Sequence, residues 1–148
     1  MALARSATGF RVFSQSPIIR SFDPWSVVTN ILIVDDHKYV RDNLRAVFER
    51  EPHWQVSEAT NGKEALEIFR KVQPEVVVLD IVMDGTNGIG ATYEIQRISP
   101  DTKIVIISGH YTLPDASVIA RALGVSAFVQ KADAVRVLIP TIKRLLAV

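Results

Sequence analysis

Four short apolar runs, each rich in β-branched residues and each closed by a side chain with chemistry in it, constrain this chain more than any other feature. Ile31-Leu32-Ile33-Val34 runs into Asp35-Asp36, and Val76-Val77-Val78-Leu79 into Asp80. Ile104-Val105-Ile106-Ile107 runs into Ser108, and Ala127-Phe128-Val129-Gln130 into Lys131. Runs of this length, separated by helical stretches, read as buried parallel strands. Ligands of an open parallel sheet bind outside the carboxyl ends of its strands. Three carboxylates, a hydroxyl and an ammonium are therefore expected to meet at one edge.

The spacing between the runs completes an alternating pattern. A strand at 30–34 leads to a helix near 38–50 that turns Val40, Leu44, Val47 and Phe48 to one side. His53 to Ala59 reads as a second strand, and Asn61-Gly62 opens a helix near 63–72 that Pro74 stops, with Ala65, Leu66, Ile68 and Phe69 inward. After the third strand, 76–79, a loop with Gly85, Gly88 and Gly90 leads to a helix near 90–98. The fourth strand is 103–107, and a helix runs from Pro114 to Leu123 with Gly124 as its stop. The fifth strand is 126–130, and a last helix starts near Asp133, with Pro140 expected to kink or loosen its first half. Five such units with right-handed crossovers predict an α/β fold, a doubly wound five-stranded parallel sheet in the order 2-1-3-4-5. Its switch point lies between strands one and three, where Asp35-Asp36 and Asp80 stand.

The chain of 148 residues is long enough for one domain with a real core. Residues 1–28 carry no strand or helix pattern and read as a flexible N-terminal extension, with 29–148 as the folded domain. Arg5, Arg11 and Arg20 fall in the first 22 residues without an acid, leaving 14 basic against 16 acidic residues, a net −2, for the rest. Such an Arg- and Ser-rich start has the composition of an organellar transit peptide, against a default cytoplasmic location; a wrongly chosen start codon is the third reading. A net charge of +1 overall suggests neither a nucleic-acid nor a membrane surface. No apolar run approaches the roughly 20 residues of a membrane span. The absence of cysteine excludes disulfides, thiolate metal sites and cysteine nucleophiles.

Carboxylates forced together repel, and without a cation some would have to take up protons. An all-oxygen carboxylate set points to Mg²⁺, with Mn²⁺ as the alternative, rather than zinc. An acidic N-cap on the following helix is the competing reading of Asp35-Asp36. A metal on carboxylates beside a lysine and a hydroxyl suits the handling of a phosphoryl group. Asp80, on the central strand with no acidic neighbour in sequence, is the expected acceptor, since aspartate is a known nucleophile for phosphoryl transfer. His37, His53 and His110 show no metal-ligand spacing; His37 is read as only feeling the field of the acidic pair. Arg41, Asp42, Arg45 and Glu49 read as a solvated helix face.

From about Asn30 to Ala147 the chain resembles the receiver domain of two-component response regulators, of the CheY-like, flavodoxin-like architecture. The residues that carry the resemblance are Asp35-Asp36, Asp80, Ser108 and Lys131, each on its proper strand end. Gly88, eight residues past Asp80, fits the family's turn glycine, where Asn87-Gly88 would favour φ > 0. Phe128 fits its aromatic switch position. The resemblance implies phosphate donation to Asp80 by a histidine kinase or a histidine phosphotransfer protein. It implies Mg²⁺ held by Asp36, Asp80 and the backbone carbonyl of Val82, with Asp35 acting through water. It further implies that Lys131 and Ser108 contact the phosphate while Phe128 moves inward. The face of the fourth helix, fifth strand and fifth helix would then repack for an unknown downstream protein or for a homodimer. The chain would catalyse only its own phosphorylation and dephosphorylation and would bind neither nucleic acid nor membrane.

Several positions depart from the family. Asp84 stands where a proline is usual, four residues past the acceptor, and Ala132 where many receivers carry a cis-proline. Lys131-Ala132-Asp133 is similar to receivers of LuxR-type transcription factors, so a receiver lacking its DNA-binding output domain is one alternative. A receiver-like interaction module that is never phosphorylated is another. Val82 and His110 occupy variable positions that tune phosphate lifetime in the family. An aspartyl phosphatase of the haloacid-dehalogenase type would need a second Asp at position 82, which is valine.

Overall fold

The computed structural model describes residues 27–83, 86–109 and 113–147. Five strands pair in parallel: β1 (Thr29–Val34), β2 (Trp54–Ala59), β3 (Val76–Asp80), β4 (Lys103–Ser108) and β5 (Ala127–Gln130). Their order across the sheet is β2-β1-β3-β4-β5, the receiver order expected from the run pattern. The helices are α1 (Lys38–Phe48), α2 (Gly62–Val72), α3 (Gly88–Ile98), α4 (Leu113–Leu123) and α5 (Ala134–Leu146).

The unbroken apolar runs follow from burial on both faces. Side chains alternate across a strand. Ile31, Ile33, Val76, Val78, Val105 and Ile107 therefore join one core, with Leu44, Val47 and Phe48 of α1 and Leu138 and Ile142 of α5. Leu32, Val34, Val77, Leu79, Ile104 and Ile106 join the other, with Ala65 and Phe69 of α2 and Ala91 and Ile95 of α3. Trp54 packs edge-on against Phe48, with ring centroids 5.8 Å apart. Among the described residues, no helix is long and apolar enough to cross a membrane.

The structure departs from the sequence pattern at the element ends. His53 has φ of 71°, so it turns the chain before β2 instead of opening the strand. α1 stops at Phe48, short of the expected end, whereas α2 ends at Val72 as expected, with Gln73 as its left-handed cap (φ 51°). A two-residue hairpin, Val82–Met83 with Thr86–Asn87, precedes α3, and a 3-10 turn at Lys131–Asp133 precedes α5. α5 runs on through Pro140, which lies on the exposed face near Arg136, also exposed; the carbonyl four residues earlier can bond water there. The extension read over residues 1–28 lies outside the described residues up to position 26, as do Asp84, Gly85 and His110.

Candidate functional site

Strand register alone assembles the site. Val34 pairs with Leu79, Leu79 with Ile106, and Ile106 with Phe128. One step further along, Asp35 comes level with Asp80. The Asp35 N–H donates to Ala59 O at 3.1 Å, which extends the β1–β2 pairing to this residue. Lys131 leaves the end of β5, and its four-carbon stem reaches across. Lys131 Nζ lies 2.7 Å from Asp80 Oδ2 and 2.8 Å from Asp35 Oδ2. Both carboxylates are buried, Asp35 at 0% and Asp80 at 1% exposure, so this is an interior ion cluster and not a surface pair. The second Asp80 oxygen, Oδ1, accepts from the Val82 N–H at 3.0 Å.

One ammonium cannot neutralise three carboxylates. Burial is the largest single influence on Lys131 and pushes its ammonium down. Hydrogen bonds and charge from Asp35 and Asp80 together outweigh it and hold the group above the usual lysine range. With Asp36 beside them, the cluster retains an excess of negative charge. Asp35 Oδ2 and Asp80 Oδ2 share the one Lys131 ammonium between them. Carboxylate oxygens gathered with an excess of negative charge suit a hard divalent cation. The residues at this edge therefore fit Mg²⁺ in the character of their donors.

Asp36 is the more open of the acidic pair, with its side chain 15% exposed, and its Oδ1 lies 2.9 Å from His37 Nδ1. The N-cap reading of the pair is not what forms. The N-cap of α1 is His37, with no side-chain capping bond, and Asp35 Oδ1 accepts from the His37 N–H at 2.8 Å. Ser108 is buried at the last position of β4, and Phe128 is half-buried against the α2–α3 core.

Gly88 requires a correction. Its φ lies outside the left-handed region, and it is the first residue of α3. Glycine is needed for space: a Cβ there would lie 2.6 Å from Leu79 Cδ2, 2.7 Å from Asp80 O and 2.9 Å from Ile81 Cα. The close approach brings α3 onto the end of the acceptor strand, where the Gly88 N–H donates to Ile81 O at 3.0 Å. Gly88→Ala is expected to destabilise the protein by about 1–3 kcal/mol, because two of the three clashing atoms are backbone. Gly90→Ala, whose Cβ would meet nothing within 4 Å, is expected to stabilise by up to about 1 kcal/mol through helix propensity. Urea unfolding of the two variants separates these effects by sign.

Of the α1 charges read as a solvated face, Asp42 and Glu49 are exposed, whereas Arg41 and Arg45 are partly buried. Arg41 is only 12% exposed; its Nη1 donates to the Asp35 carbonyl at 2.8 Å and its Nε to Glu58 Oε1 at 3.1 Å. Arg45 shares Glu58 through Nε at 2.6 Å, and Glu49 with Glu58 holds its guanidinium above the usual arginine range. The spacing of Arg41 and Arg45 puts both on one helix face. Glu58 comes beneath them because β2 lies next to β1. Arg41 thus pins the backbone of the acidic pair, while Asp42 pairs with Lys38 at 2.6 Å.

The family model described as response regulator receiver domain matches residues 31–143. This chain belongs to that family. The receiver is 40% identical over 78 residues to the chemotaxis protein CheY of Thermotoga maritima, covering 53% of this chain and 65% of that protein. It is 34% identical over 113 residues to the transcriptional regulatory protein LiaR of Bacillus subtilis, covering 72% of this chain and 54% of that protein. The match spans less than two thirds of either relative. Among solved structures, a two-component response regulator of the LuxR family from Aurantimonas sp. SI85-9A1 is similar at TM-score 0.74 and 32% identity, over 82% of this chain and 86% of that one.

Proposed function

We propose that this receiver is a phosphoacceptor of a two-component phosphorelay and that Asp80 is the acceptor. The observation that carries the reading is the placement of Asp80. It closes the central strand, shares Lys131 with Asp35, and has one oxygen oriented by the Val82 N–H. In the transfer, an Asp80 carboxylate oxygen attacks the phosphorus of a phosphohistidine. The new P–O bond forms as the P–N bond breaks, and the electron pair leaves with the donor imidazole, which takes up a proton. Lys131 offers its ammonium to the phosphoryl oxygens, and Ser108 can donate one hydrogen bond. Asp36, Asp80 and the Val82 carbonyl would hold the divalent ion, whose chemistry is to offset charge on the transferring group. Asp35 would act on it through water.

The donor is a histidine kinase or histidine phosphotransfer protein. Phosphorylation then biases the packing around Ser108 and Phe128 and so the face of α4, β5 and α5. That face would meet a downstream protein or a second copy. The chemistry is confined to the chain's own carboxylate, and a cytoplasmic location goes with a kinase partner. A second reading, a receiver working within a LuxR-type DNA-binding regulator, is favoured by the likeness to LiaR and to the LuxR-family structure.

Intact mass after incubation with Mg²⁺ and acetyl phosphate tests the chemistry. A single phosphoryl adduct that chelator prevents is the expected result. No adduct under conditions where calorimetry shows Mg²⁺ bound would reject the phosphoacceptor reading in favour of an interaction module.

A further inference from the structure

The backbone of the acidic pair is held by a side chain at the point where strand pairing runs out. The Asp35 N–H closes the β1–β2 ladder on Ala59 O, and β2 ends there, with Asn61 already capping α2. The Asp35 carbonyl takes its hydrogen bond from Arg41 Nη1, at 2.8 Å. Long side chains on a helix lean back toward its start, so Arg41, early in α1, reaches the strand end that precedes it. The same guanidinium is braced from the other side. Its Nε donates to Glu58 Oε1 at 3.1 Å, and the second Glu58 oxygen accepts from Arg45 Nε at 2.6 Å. The Asp35 carbonyl belongs to the peptide unit that joins Asp35 to Asp36. That unit is planar, so fixing its oxygen also fixes the nitrogen and Cα of Asp36. Asp36 is not packed into the core as Asp35 is, and the direction of its carboxylate therefore depends on where this peptide stands.

We propose that Arg41, braced by Glu58, is a positioning residue that sets how tightly the acidic pair holds a divalent ion; this rests on the reading of the strand edge as the Mg²⁺ site of a phosphoacceptor, and deepens it. Arg41 acts as a tether and not as a counter-charge. By charge alone, a guanidinium beside the pocket would oppose a cation. Glu58 offsets that charge and leaves the hydrogen-bond geometry as what Arg41 contributes. Lysine would keep the charge and lose the geometry, since one ammonium on a flexible stem replaces two donors aimed in fixed directions. Arg45 supplies the comparison within the same cluster. It leans on the same Glu58, but its Nη2 donates to Val56 O at 3.2 Å, along β2 and not at the acidic pair.

The full chain, Arg41→Gln, Arg41→Lys and Arg45→Gln would each be titrated with Mg²⁺ by calorimetry, where the fitted stoichiometry counts folded sites and Kd refers to folded protein. Arg41→Gln is expected to bind Mg²⁺ about tenfold more weakly than the parent, the usual scale for losing a group that orients a metal ligand. Arg41→Lys should lie within about threefold of Arg41→Gln. Arg45→Gln should stay within about twofold of the parent, because it leaves the bond to the Asp35 carbonyl in place. Unchanged or tighter binding in Arg41→Gln would overturn the proposal; tighter binding is what removing a positive charge alone would give. Parent-like affinity in Arg41→Lys would overturn it too, since charge would then suffice without the fork. So would a loss in Arg45→Gln equal to that in Arg41→Gln, because the charge cluster would then act as a whole, or a parent that binds no Mg²⁺. Intact mass after acetyl phosphate, on the same samples, separates this from the reading beneath it. A chain that takes no phosphoryl group yet loses Mg²⁺ affinity in Arg41→Gln rejects the phosphoacceptor reading alone. A phosphorylated chain whose Arg41→Gln variant binds Mg²⁺ like the parent rejects the role of Arg41 alone.

Discussion

Asp80→Asn should take up no phosphoryl group from acetyl phosphate while folding at least as well as the parent in chelator. The amide keeps the shape of the side chain and an oxygen for the Val82 N–H. It lacks the nucleophilic carboxylate, so the adduct should vanish completely. Stability should move the other way. In the parent without a cation, Asp35 and Asp80 share one ammonium inside the protein. Removing one of the two charges leaves a matched pair, Asp35 with Lys131, and relieves the excess. The response to Mg²⁺ should shrink in turn. A ligand that binds only the folded state adds about 2.7 kcal/mol at a hundredfold excess over Kd. The parent should show a gain of that order between chelator and excess Mg²⁺, and Asp80→Asn less than half of it. Intact mass and urea unfolding, each with and without Mg²⁺, read both effects. A phosphoryl adduct that survives on Asp80→Asn would move the acceptor to another carboxylate.

The parts of this site that strand ends provide were legible without coordinates. Asp35, Asp80 and Lys131 each follow an apolar run, and parallel pairing in one order brings the ends of such runs together. What escaped the sequence depends on contacts between segments far apart along the chain. Arg41 looks like any helix-surface arginine until β2 pairs beside β1 and brings Glu58 under it. His37 has no second histidine at a metal-ligand spacing, so its approach to Asp36 is a matter of side-chain direction at a helix start. Gly88 was legible as a position and misread as to cause. Glycine serves both positive φ and close approach, and sequence alone does not separate the two. The hairpin before α3 is only two residues per strand, too short to show alternation.

Lys131→Met should cost about 3 kcal/mol of stability in chelator, near the low end for breaking a buried ion pair because the lysine side chain is still 21% exposed. Methionine fills much of the space of the lysine stem and removes only the charge. Asp35 and Asp80 then face each other in the interior with no cation between them. Saturating Mg²⁺ should recover much of the loss, since a divalent ion supplies what the ammonium did. The deficit has a defined pH window. The folded state holds the Lys131 ammonium above its ordinary value of 10.5, so its contribution is fully present below that value. It is lost only as pH rises through the still higher folded value. The gap between parent and variant should therefore contain no lysine titration from neutral pH to about 10, and it should close in stronger alkali. A double-mutant cycle with Asp80→Asn isolates the pair. With Asp80 already neutral, Lys131→Met should cost less than in the parent, because fewer buried charges are left unmatched. Equal costs in both backgrounds would mean that Lys131 stabilises the fold through its packing, and that the short contact to Asp80 contributes no net coupling.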